Sequence, residues 1–171
     1  MFTPTQLVVY PAQGVGKVDA IERRDIGGAA AVFYIVSILG NNITLMVPVF
    51  TADKVGLRPL CSQEDALKTL ESFKDRSGFT GHIGQNWNRR FREYSERLKS
   101  GMLDDVSHVV KELLLISGEK ELSFGERRLL EQSMGLVATE LACVLGKEPK
   151  DVQMEIESFF ADILQKEEKE E

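Results

Sequence analysis

Cysteine, histidine and tryptophan are scarce in this chain: two, two and one among 171 residues. Cys61 and Cys143 lie far apart with no CxxC pattern, so a disulfide framework is not expected and both read as reduced thiols. His82 and His108 are equally isolated. A structural zinc needs four nitrogen or sulfur ligands, usually closely spaced, so no metal site and no cofactor are expected. No glycine-rich phosphate loop and no nucleophile–base arrangement is present, which argues against an enzyme. No apolar run approaches the roughly 20 residues that cross a bilayer. The N-terminus lacks a basic region followed by an apolar one, so the expectation is a cytoplasmic protein with no membrane contact. No internal repeat is visible.

What is abundant is apolar: hydrophobic residues make up 43% of the chain, enough to fill a core in one domain or two small ones. The net charge of −6 is unevenly placed, with residues 1–60 near +1 and residues 61–171 near −7. A surface for nucleic acid must therefore be a local patch, since the molecule as a whole repels phosphate.

Residues 6–59 read as short strands. Gln6 to Tyr10 is rich in β-formers, and Pro11-Ala12-Gln13-Gly14 is a turn. Val15 to Ile26 is a second strand whose broken alternation around Ala20-Ile21 suggests a twist or bulge. Gly27-Gly28 marks a hairpin. Val32 to Leu39 is apolar on both faces, as in a central strand. Gly40-Asn41-Asn42 turns the chain into Ile43 to Val47, which Pro48 ends because proline cannot donate to a ladder. Gly56-Leu57-Arg58 offers a short closing strand. This pattern describes a small, strongly twisted antiparallel barrel of the SH3 or Tudor kind, with an edge strand open to a partner. Asp19, Glu22, Arg23, Arg24 and Asp25 read mainly as a solvated face.

From Ser62 the pattern turns helical. Ser62 caps a helix with Ala66, Leu67, Leu70 and Phe73 on its apolar stripe. A glycine-rich loop spans 77–85. Asn86 caps a second helix, with Trp87, Phe91, Tyr94 and Leu98 as its inner stripe and its arginines outward. Leu103 to Ile116 is a third helix, burying Val106, Val109, Val110, Leu113 and Leu114. Ser123-Phe124-Gly125-Glu126 is a capping box that opens a helix to about Leu145. Pro149 begins a last helix carrying Val152, Ile156, Phe159, Phe160 and Ile163. Residues 167–171 form an acidic tail. The fold class is thus α+β: a β module at 1–60, a compact all-α region at 61–166 and the tail at 167–171.

The stretch Asn86 to Lys99 is the one basic island, with a local balance of +3 beside the only tryptophan. Two readings are open. In the bland one Trp87 is a core or capping residue, and the arginines are a solvated face partnered by Glu93 and Glu96. In the other, Arg89, Arg90 and Arg92 contact phosphates at a helix N-terminus, and Trp87 presses against a minor groove and a base step. Arg127 and Arg128, at the start of the 123–145 helix, would widen the footprint. Binding of this kind is weak, salt-sensitive and not sequence-specific, so it needs delivery by a partner.

The motifs VVYPAQGVGKVDAIE (8–22), VPVFTADKVGLR (47–58), NWNRRFREYSERLKSG (86–101) and LSFGERRLLEQS (122–133) occur in one order at regular spacing. Together they resemble the CarD/CdnL family of bacterial transcription regulators over about residues 5–145. The resemblance implies a Tudor-like module that docks on the β-subunit lobe of RNA polymerase. It also implies a helical domain that touches promoter DNA at the upstream edge of the transcription bubble and stabilises the open complex. Carried over by position, Trp87 corresponds to a minor-groove wedge, and Arg89, Arg92 and Arg127 to basic DNA contacts. Arg24, with Met46, Val47 and Pro48, falls on the polymerase-binding side. Such a protein would be a monomer held near the nucleoid through polymerase. Met46 stands where some relatives carry arginine, and Leu113 to Ser117 lacks the basic residues common there. The polymerase-binding module of transcription-repair coupling factors is similar, which keeps open an adaptor without DNA contact.

Overall fold

The computed structural model describes residues 1–79 and 86–164; His82 and the acidic tail lie outside them. The described chain divides into two compact units, with the boundary between Leu60 and Cys61.

The first unit is a five-stranded antiparallel sheet. Its strands are β1 (Leu7–Tyr10), β2 (Gly14–Ile26), β3 (Ala29–Ile38), β4 (Thr44–Pro48) and β5 (Arg58–Pro59), in the spatial order β4-β3-β2-β1-β5. The strand order is that of the expected small antiparallel β module; no ladder joins the outer strands β4 and β5 among the described residues, so barrel closure is not detected. Gly27 and Gly28 take positive φ, 60° and 86°, and close the β2–β3 hairpin as the sequence predicts. The irregular alternation of β2 is a register shift between Val18 and Ala20, where the extra residue strengthens the local twist. β3 begins three residues earlier than its apolar run, at Ala29. It is an interior strand, paired on both sides with β4 and β2, but its two faces differ. Tyr34, Val36 and Ile38 are buried, while Val32 is exposed and Ile35 half-buried. Tyr34, Val36 and Ile38 pack with Val8, Val18 and Val47 into one small core.

The second unit is helical: α1 (Gln63–Ser72), α2 (Trp87–Ser100), α3 (Leu103–Ser117), α4 (Phe124–Leu145), α5 (Pro149–Ser158) and α6 (Ala161–Leu164). The starts follow local chemistry. The side chains of Ser62, Asn86 and Ser123 each accept a hydrogen bond from a first-turn N–H, satisfying donors that the helix cannot. α3 is the axle of the unit: Val109, Val110 and Leu113 are wholly buried, and Leu115 and Ile116 are buried as well. The expected last helix is interrupted. α5 stops at Ser158 and α6 restarts at Ala161, because Phe160 turns fully into the core while Phe159 stays half-exposed. Leu67, expected on the apolar stripe of α1, is exposed. No single described helix is long and apolar enough to cross a membrane; α4 and α5 pass that test only together, bent by 112°.

Truncating the axle should destabilise this unit. Leu113→Ala is expected to cost about 2–5 kcal/mol, the range for a buried leucine whose site cannot collapse. Urea unfolding followed by Trp87 fluorescence measures it, and an unchanged midpoint would contradict the packing.

Candidate nucleic-acid interface

α2 begins where the Asn86 side chain accepts from the Asn88 N–H, which puts Trp87 in the first helical position. The helix periodicity then sorts its residues. Positions 90, 94 and 98 form the buried stripe, which shares Tyr94 and Leu98 with the expected stripe but holds Arg90 in place of Trp87 and Phe91. Tyr94 and Leu98 are buried as expected, and the Tyr94 hydroxyl donates to Glu112 of α3 at 2.6 Å. Trp87 and Phe91 are displaced to the flank. Trp87 is half-buried and Phe91 is exposed, with ring centroids 5.6 Å apart.

Arg90 is the correction. It was expected to face outward toward phosphate, but only 6% of its surface is exposed. Its Nη2 donates to Glu126 Oε1 at 3.1 Å, and its guanidinium lies 5.8 Å from the centre of the Trp87 ring. Residue 90 lies one turn before Tyr94 and two before Leu98, so the same helix face carries all three inward. Arg89 and Arg92 remain exposed on α2. Further along the helix, Arg97 is engaged by carboxylates, with Glu93 at 3.3 Å and Asp105 at 3.1 Å.

α4 meets the start of α2 through a glycine. A Cβ on Gly125 would stand 3.0 Å from Trp87 Cζ2, so the indole rests against backbone that a side chain would crowd. The first turns of α2 and α4 therefore lie together. Arg127 and Arg128 are exposed on that first turn of α4, Arg127 in a loose 3.6 Å pair with Glu121. Phe124, next to the glycine, is 78% exposed. It belongs to the capping motif, whose pattern does not by itself mark Phe124 as exposed. Its sequence signal is a large apolar residue at a capping-box position where nothing local can cover it. The surface is thus Trp87, Phe91 and Phe124 among Arg89, Arg92, Arg127 and Arg128.

Behind it sits Glu126, the glutamate of the capping box. Its Oε2 accepts from the Ser123 N–H at 2.8 Å and from Lys120 Nζ at 2.7 Å, while Oε1 takes Arg90. Burial pushes its carboxyl pKa up. The hydrogen bonds from Lys120 and Ser123 and the Lys120 charge outweigh burial and hold it below the ordinary 4.5.

In the first unit, Arg24 is exposed on β2, and its Nε and Nη2 both donate to Glu22 Oε2, at 2.9 and 2.7 Å. β4 is an edge strand, paired only with β3. Met46 is 42% exposed on it and Pro48 is half-buried. Val47 departs from the expected role, because its side chain is 2% exposed and fills the sheet core; only its backbone can serve a partner. Phe50, just past β4 and 91% exposed, was not singled out from the sequence. Among the described residues no group of three or more His, Cys, Asp or Glu could hold a metal ion.

An open-edged sheet followed by a helical unit with an aromatic and cationic surface defines a protein that grips other macromolecules. Comparison with known families is specific. Residues 2–61 match the CarD-like/TRCF RID domain and residues 68–157 match the CarD C-terminal domain. The chain belongs to the CarD family of transcription factors, non-enzymatic regulators that bind RNA polymerase, and its first domain is of the type that engages the polymerase β subunit. A relative in Bacillus subtilis (strain 168), described as "Putative transcription factor YdeB", is 24% identical over 161 residues, covering 90% of this chain and 98% of that protein.

The depressed Glu126 pKa carries a pH signature. A carboxylate held below its ordinary value contributes stability in full above that value and loses it as pH falls through the folded-state pKa. The stability gap between wild type and Glu126→Gln should stay constant from neutrality to about pH 5 and narrow below about pH 4.5. Urea titrations at stepped pH read it, and a gap that widens in acid would refute the assignment.

Proposed function

We propose that this regulator stabilises the promoter open complex, holding Trp87 against the minor groove at the upstream edge of the bubble. The observation that carries the reading is the half-exposed indole at the joined first turns of α2 and α4, ringed by exposed cations. Arg89, Arg92, Arg127 and Arg128 would neutralise phosphates without reading sequence. Arg90 takes no part in phosphate contact in this reading. Phe91 and Phe124 extend the apolar surface beside the indole, where a distorted base step exposes apolar edges.

Such contacts are few, and the chain as a whole is acidic, so free affinity for DNA would be low. The sheet unit supplies what is missing. The β4 edge, with Met46, Pro48 and the Val47 backbone, would dock on the polymerase β lobe, with Arg24 as an ionic contact. Tethering then raises the local concentration of the helical unit at the DNA. An adaptor that grips polymerase without touching DNA is the competing outcome.

Trp87→Ala should shorten open-complex lifetime by roughly 5- to 30-fold, the loss of about 1–2 kcal/mol of ring contact, while polymerase binding persists. Heparin-challenge lifetimes with pull-down of the β lobe measure both, and an unchanged lifetime would favour the adaptor. Arg24→Glu should act in reverse order, weakening polymerase capture first. Replacing Arg89 and Arg92 together by alanine should lower the salt dependence of DNA engagement by about two phosphates. Lifetimes at stepped potassium concentrations would show it.

A further inference from the structure

We infer that Arg90 is a positioning residue for Trp87: the buried Arg90–Glu126 pair, backed by Lys120, sets the angle at which the indole leaves the surface. The inference rests on the wedge reading for its functional consequence, but its structural part stands without it.

Arg90 follows Trp87 by three residues, so the two share one side of the helix. Long helical side chains also lean back over the preceding turn. The 5.8 Å separation of guanidinium and indole agrees with that geometry. The guanidinium is held from the far side by a carboxylate that cannot move freely. Glu126 is fixed in its own helix by the Ser123 N–H and from outside by Lys120. Gly125 leaves the room in which the ring lies. The indole is thereby located by α4 on two counts: the bare backbone of residue 125 and the charge relayed from residue 126.

Packing alone does not account for an arginine here. Nε and Nη1 of Arg90 are buried with no partner among the described residues. An apolar residue of similar length would incur neither that loss nor the desolvation of a charge, and buried ion pairs commonly gain nothing over well-packed hydrophobes. What a methionine cannot do is hold one orientation. Its thioether chain adapts to any gap, whereas a planar guanidinium bonded to a fixed carboxylate has few alternatives.

The lone tryptophan makes the test direct, because fluorescence excited at the red edge, where tyrosine does not absorb, comes from residue 87 alone. In the full chain, Arg90→Met should raise the acrylamide quenching of Trp87 and diminish its near-ultraviolet dichroism, with far-ultraviolet dichroism and cooperative unfolding retained. Arg90→Lys keeps the charge but loses the planar fork, so it should fall between the two. On polymerase with a fork-junction promoter, Arg90→Met should shorten open-complex lifetime. Combining it with Trp87→Ala should shorten it no further than Trp87→Ala alone, since both act through one contact. Should Arg90→Met not fold, Glu126→Gln, which keeps the shape and removes the charge, gives the same quenching comparison. Quenching and dichroism as in wild type would overturn the positioning role, as would additive lifetimes. If Trp87→Ala itself leaves lifetime unchanged, the DNA reading fails, and the quenching comparison still decides whether Arg90 positions the ring.

Discussion

The Glu126 carboxylate joins three parts of the helical unit. It caps its own helix through the Ser123 N–H, draws in Lys120 from the preceding turn and receives Arg90 from α2. A charge taken from water must be repaid by several donors at once, and here the donors come from separate stretches of chain. The carboxylate therefore links the start of α4 to the start of α2. The aromatic and cationic surface depends on that junction: Trp87 and Arg89 are on one side, and Phe124, Arg127 and Arg128 are on the other.

The remainder of the molecule is consistent with weak contact made effective by tethering. The helical region carries a net charge near −7, so in the proposed reading its basic patch would act only at close range. Arg97 is paired with Glu93 and Asp105, which withdraws one cation of the basic island from the surface around Trp87. The sheet unit contributes an unclosed edge at β4, with Met46 and Phe50 exposed beside it. Open edges are a liability in isolation, and a regulator that works on a partner can use one as its grip.

Much of this was legible because it is local. A serine three residues before a glutamate, ahead of an apolar run, favours a helix start, and the capping box of Ser123 and Glu126 is present with both its bonds. Asn86 and Ser62 cap their helices by the same rule. The Gly27-Gly28 hairpin and the irregularity of β2 likewise follow from backbone freedom and alternation. The misreadings share a different cause. Charge assigns Arg90 outward, apolar spacing assigns Leu67 inward and position assigns Val47 to a partner, and none of the three records what packs opposite in space.

The sequence by itself determined the α+β order, the helix starts, the hairpins and the family, through caps, glycines and motifs whose physics acts within a few residues. Tertiary structure alone decided that Val47 fills the sheet core, that α5 breaks at Phe159-Phe160, and that one arginine of the basic island turns inward. Those outcomes depend on what lies opposite: a carboxylate 36 residues away for Arg90, the sheet core for Val47, the helical core for Phe160. Burial is a property of neighbours in space, and a linear pattern records only neighbours in the chain.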